Sequence, residues 1–147
     1  MGDSDLMQLY SRRILALTTE IPHQGRLTAP HGSAMRRSPH CGSSVTVDVT
    51  MKDGKVAEFS QEVRACALGQ ASASVLGKAV IGQTRDRLET ARDQLRAMLK
   101  QNGEPPAEPF EELEALLPAR EYPNRHASIL LAWEAVLAAI DEAQAKA

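Results

Sequence analysis

The chain is expected to fold as an α+β layer structure, a small three-stranded antiparallel sheet covered by helices. Three observations carry this. Ser44 to Thr50 alternates Val45, Val47 and Val49 with Thr46, Asp48 and Thr50, the period of a strand with one buried face. Asp53 and Gly54 then supply a tight turn that favours positive φ, and Lys55 to Val63 reads as the return strand with Ala57, Phe59 and Val63 on one face. Beyond this hairpin, apolar residues recur at helical spacing.

In chain order, residues 4–19 place Leu6, Leu9, Tyr10, Ile14 and Leu17 on one helical stripe, with Asp3 or Ser4 as the N-cap. Pro22, Gly25, Pro30, Gly32 and Pro39 break up the next stretch, so residues 21–39 read as loop with a short strand near Ser33 to Arg37. After the hairpin, small side chains dominate a helix from about Ala67 to Ile81, which lets it lie close against a sheet or a bound group. Thr84 caps a further helix to Lys100, with Leu88, Ala91, Leu95 and Met98 as its stripe and Asn102 with Gly103 at its end. Residues 103–109, GEPPAEP, are a linker. Phe110 to Leu117 reads as a short helix stopped by Pro118. A last helix runs from about Asn124 to Glu142, with Ile129, Ala132, Trp133, Val136 and Ile140 on one face. At 147 residues the chain is expected to be one domain spanning 1–147.

Composition narrows the function. A net charge of -2, one Trp, two Tyr and two Phe provide neither a basic field nor stacking platforms for nucleic acid. Two cysteines exclude a disulfide-stapled scaffold and a four-cysteine metal site within one chain. The N-terminus opens acidic and reaches Arg12 and Arg13 only after its apolar residues begin, the reverse of a signal peptide. No stretch approaches the roughly 18 uninterrupted apolar residues of a membrane span. A cytoplasmic protein with reduced thiols and no membrane partner is expected.

Cys41 precedes the first strand of the hairpin and Cys66 follows the second, each about a dozen residues from the turn, so pairing about Asp53 and Gly54 would make their sulfurs neighbours. Cys66 would also stand at a helix start, where free N–H groups favour an anion, and Gly42 allows close backbone approach beside Cys41. The alternative is a pair of small buried apolar residues, although both positions fall at element boundaries.

Five blocks, Leu9 with Tyr10, SPHCGS at 38–43, the strand–DG–strand unit, CALGQASAS at 66–74 and YPNRHASILLAW at 122–133, resemble the NifU N-terminal/IscU/SufU family of iron-sulfur cluster assembly scaffolds. The resemblance runs over nearly the whole chain. Residues 101–120 look like the insertion that marks the SufU branch, and the LPPVK chaperone-recognition motif of IscU proteins is absent before His126. In that family three cysteines and an aspartate hold a transient [2Fe-2S] cluster, or zinc in many SufU-like members. Cys41 matches the first cysteine and Cys66 the second. The aspartate position is Ser43 and the third cysteine position is Ser128, so half of the ligand set is missing.

Neutral hydroxyls are poor ligands beside thiolate, imidazole or carboxylate. His40 and His126 are the candidate replacements. His40 alternates away from Cys41 in an extended segment, and a residue two positions before Ser128 points about 200° around a helix unless the helix starts after it. His23 and His31, in the early loop, have less claim. A homodimer offers another route, with four thiolates from two chains around a bridging cluster. Arg125 matches the family's arginine before the last helix, and Arg120 and Arg64 are expected near the site; a surface role is equally open to each. Arg12, Arg13 and the charge run from Arg85 to Arg96 read as solvated helix faces.

The resemblance implies a scaffold or carrier that binds iron, a [2Fe-2S] cluster or zinc, takes sulfur from a cysteine desulfurase and passes clusters to apo-protein acceptors. No nucleophile, base and oxyanion constellation marks an enzyme. Two alternatives stand beside it: a degenerate paralogue acting as a metal-free adaptor or regulator, and a persulfide acceptor using Cys41 or Cys66.

Overall fold

The computed structural model describes residues 10–39 and 42–146. Helix α1 (Arg12–Thr19) leads into β1 (Gly32–Arg37), β2 (Ser44–Lys52) and β3 (Lys55–Arg64), followed by α2 (Ala67–Ala79), α3 (Arg85–Lys100), 3-10 turns at Glu111–Glu121 and Pro123–Arg125, and α4 (His126–Ala145). The strands form one antiparallel sheet in the order β1-β2-β3. This is the expected α+β architecture.

Leu6, Leu9 and the caps expected at Asp3 or Ser4 lie outside the described residues. Within them Tyr10 and Ser11 are not helical, and a helix starts at Arg12. Ser11 is its N-cap, its hydroxyl accepting from the Ile14 N–H at 3.3 Å, and Ile14 and Leu17 are buried.

The hairpin turns where its residues demand, with Asp53 at φ 54° and Gly54 at φ 76°. One assignment within it is corrected. The β2–β3 register shifts between Thr50 and Met51, so Thr50 pairs with Glu58 while Met51 pairs with Val56. Ala57 is the extra residue of this bulge and is exposed, and Val56 is buried in its place.

The second correction concerns the polar face of β2. Asp48 is fully buried rather than solvated. It accepts from Arg26 Nε at 2.7 Å, Arg26 Nη2 at 3.1 Å, the Leu27 N–H at 3.0 Å and the hydroxyls of Ser33 and Ser60. The loop before β1 is thereby tied across the back of the sheet. Burial alone would raise the Asp48 pKa, but the hydrogen bonds from Arg26, Ser33 and Leu27 outweigh it and hold it down to about 2. A carboxylate depressed in this way contributes stability above its unfolded pKa near 3.8, about 2 kcal/mol, which is lost as pH falls through 2. Asp48→Asn should therefore lower urea stability by about 2 kcal/mol at pH 7 and flatten the loss of stability that wild type shows between about pH 4 and pH 2.

The other face of the sheet packs on α4. Gly32 makes the contact possible: a Cβ there would lie 2.1 Å from the Ala139 carbonyl oxygen and 2.7 Å from the Ala143 nitrogen. The expected single apolar face on α4 is too narrow, since Leu130, Leu131, Ala135, Leu137 and Ala139 are buried as well. A helix apolar on all sides is a central one. Here β1 and β2 cover one side, and α2 and α3 cover others. Trp133 meets Phe110 edge to face at 5.0 Å between ring centroids. Thr84 caps α3 as expected, its hydroxyl accepting from the Arg87 N–H. Pro118 does not end the turns around it. It sits inside a 3-10 segment running to Glu121.

The run from Arg85 to Arg96 is more than a solvated face. Arg92 and Arg96 clasp the Glu134 carboxylate at 2.9 and 3.0 Å, joining α3 to α4.

Candidate functional site

The sheet delivers two chain ends to one place. Arg37, Ser44 and Arg64 form a cross-strand row at the end remote from the hairpin turn, so Ser43 and Cys66 emerge side by side. Cys66 is the N-cap of α2, with φ -65° and ψ 170°, and no side chain caps that helix start. Gly42 has φ 70°, and among the described residues a Cβ there would meet nothing within 4 Å. That left-handed backbone is one that glycine adopts without strain.

The third participant comes from α4. Ser128 lies 3.5 Å from the Cys66 sulfur, and its hydroxyl donates to the Ser43 hydroxyl at 3.1 Å. Both serines are buried, and Cys66 is partly exposed. A hydroxyl carries one hydrogen, so while Ser128 donates to Ser43 it accepts from the Cys66 thiol. A thiolate at Cys66 would draw that hydrogen to sulfur, and the serine–serine bond would then run the other way, with Ser43 donating to Ser128.

Ser128 approaches because α2 has no side chain at Gly69, where a Cβ would fall 2.7 Å from the Ser128 hydroxyl. One turn on, the Ser72 hydroxyl donates to the Ile129 carbonyl at 2.7 Å and accepts from Trp133 Nε1 at 3.0 Å, with both side chains buried. The small residues of α2 therefore bring helix to helix. Sequence reasoning does not single out Gly69 or Ser72; their only signal is the density of small side chains in one helix.

The other predicted residues divide. Cys41 and His40 lie outside the described residues. The structure does not bring His126 to Ser128: it is the first residue of α4, its Nε2 bonds the Ala119 carbonyl at 2.9 Å, and its Nδ1 faces Lys100 Nζ at 3.5 Å. Nε2 must donate to that carbonyl, leaving Nδ1 to accept from Lys100. Burial and the Lys100 charge lower the pKa of this imidazole and outweigh the opposing Ala119 bond, so the neutral ring is favoured. His31 accepts from the Met51 N–H near the hairpin turn, and His23 packs against Phe59, both away from the serines. Arg120 is committed to the carbonyls of Met98 and Gly103 at the end of α3. Arg64 is exposed and Arg125 partly so. Among the described residues no three His, Cys, Asp or Glu side chains gather as a metal-binding group.

A Cys at a helix start thus meets a serine of a second helix, which in turn bonds a serine at a strand entry. The model of the NifU-like N-terminal domain matches residues 9–147. The chain belongs to that family. This NifU-like domain is 43% identical to a nitrogen-fixing NifU-like protein (N-terminal) from Brucella abortus, with a TM-score of 0.94 over 97% of this chain and 99% of that one. It shares its fold, at 22% identity and a TM-score of 0.82 over 95% of this chain and 99% of the other, with a putative iron-sulfur cluster assembly scaffold protein for the SUF system from Fervidobacterium islandicum. Among curated proteins it is 25% identical over 140 residues to the iron-sulfur cluster assembly scaffold protein IscU of Streptococcus pyogenes serotype M1, covering 95% of this chain and 87% of that protein. The IscU scaffold of Thermotoga maritima is 23% identical over 137 residues, covering 90% and 92%. No helix among the described residues of the NifU-like domain is long and apolar enough to cross a membrane.

Proposed function

We propose that this NifU-like domain is a scaffold or carrier of the SufU-like branch, with residues 101–120 as that branch's insertion, and that Cys41 and Cys66 bind iron, a [2Fe-2S] cluster or zinc. One observation supports it above the others: Cys66 and Ser43, which with Ser128 match three of the family's ligand positions by resemblance, are linked through the Ser128 hydroxyl. The sulfur source would be a cysteine desulfurase, and the recipients apo-proteins that need clusters. With two neutral hydroxyls in the set, one chain has only two thiolates to offer, so a cluster bridging a homodimer meets the coordination number.

The test is anaerobic reconstitution with iron and sulfide, read by iron per chain, visible absorption and gel filtration. Wild type should take up iron and move to the dimer position together, and Cys41→Ser and Cys66→Ser should each abolish both. Wild type that holds no metal would overturn this reading.

A second reading is favoured by the burial of Ser43 and Ser128, which bond each other rather than stand open. In it the site takes persulfide. The Cys66 thiolate attacks the outer sulfur of a protein persulfide, a sulfur–sulfur bond forms at Cys66 as the donor's breaks, and the donor leaves as thiolate with no net oxidation. A persulfide on Cys66 after mixing with a desulfurase, in protein without metal, supports it. Neither metal nor persulfide supports an adaptor.

A further inference from the structure

A cleft of about 490 Å³ opens between the end of β1 and the start of α4. Arg36, Arg37 and Lys100 line it, and Pro123 and Ala127 supply an exposed apolar wall with Leu130 and Leu131 buried at its base. All three cations are exposed. Their charges are not spent on carboxylates among the described residues: Arg36 bonds only the neighbouring Met35 carbonyl, and Lys100 meets a neutral imidazole. The single carboxylate of the lining, Glu134, is already held by Arg92 and Arg96. A chain with a net charge of -2 thus presents an uncompensated positive cleft between β1 and α4.

We propose that this cleft docks an acidic, apolar-anchored peptide segment of a partner protein. Its volume lies within the range of pockets that enclose small ligands or a few side chains. A free inorganic anion would satisfy the cations but leave the exposed apolar wall at Pro123 and Ala127 in water, whereas glutamates interspersed with leucines use both. Charge complementarity would act first on the rate of encounter, and the apolar contacts on residence time.

The experiment uses the full chain and a short synthetic peptide of glutamates interrupted by leucines, followed by amide chemical shifts and by fluorescence anisotropy. Shifts should centre on Arg36, Arg37, Ala127 and Leu130. Arg36→Glu with Arg37→Glu should weaken binding by about tenfold or more, while Arg12→Glu with Arg13→Glu, an equal charge change on α1, should leave it within about twofold. Replacing the peptide's leucines by glycine, or its glutamates by glutamine, should each weaken binding. Cys66→Ser should bind as wild type does, so this outcome is independent of any metal or sulfur chemistry. Equal losses in the two arginine variants, shifts on another face, full displacement by inorganic phosphate, tighter binding of a short RNA, or no binding would each overturn the proposal.

Discussion

Gly32→Ala should lower the stability of the fold by about 3 kcal/mol or more, at the upper end of overpacking costs, or prevent folding altogether. The added methyl would be directed at backbone, 2.1 Å from the Ala139 carbonyl oxygen and 2.7 Å from the Ala143 nitrogen. A flexible side chain can turn aside, but a helix carbonyl cannot. α4 would have to lift from β1, and α4 carries the centre of the core, including Trp133, Val136 and Ile140. Urea denaturation followed by circular dichroism measures this directly. A midpoint close to wild type would show that β1 and α4 are not held at this distance.

The second large effect is a gain. Ser43→Asp combined with Ser128→Cys should raise zinc affinity by at least about a hundredfold, because two neutral hydroxyls become a carboxylate and a thiolate beside Cys66. The geometry is permissive, since Gly69 leaves α2 without a side chain where the larger sulfur would sit. Competition with a chromophoric chelator gives the affinity, and Cys66→Ser in the same background should remove the gain. If the double variant bound zinc no better than wild type, the Ser43–Ser128–Cys66 group would not be the family's ligand site in altered form.

Local features of the fold are legible where one short segment carries its own instructions. The alternation from Val45 to Val49 and the Asp53–Gly54 turn are sufficient for the hairpin, and Thr84 for the start of α3. What escapes depends on distant residues. Nothing around Asp48 distinguishes it from a solvated strand residue, because its partner Arg26 lies in a loop without periodicity. Alternation alone misplaces Ala57, because one extra residue at a bulge inverts the faces beyond it. Pro118 has the chemistry of a helix stop, although a 3-10 segment tolerates it. In the site, the meeting of Cys66, Ser43 and Ser128 follows from family positions rather than from any periodicity, and the bond pattern that occupies His126 requires Ala119 and Lys100 to be placed first.

The buried link of Ser72 to Ile129 and Trp133 lies one turn along α2 from Gly69. It makes Cys66 and Ser128 two marks on a single stiff body, since their separation cannot change without tearing α2 from α4. Ser43 belongs to a different body, the sheet. The site therefore has one pair of jaws, Cys66 and Ser128, whose spacing is set when the two helices pack, while its third member is carried by the sheet.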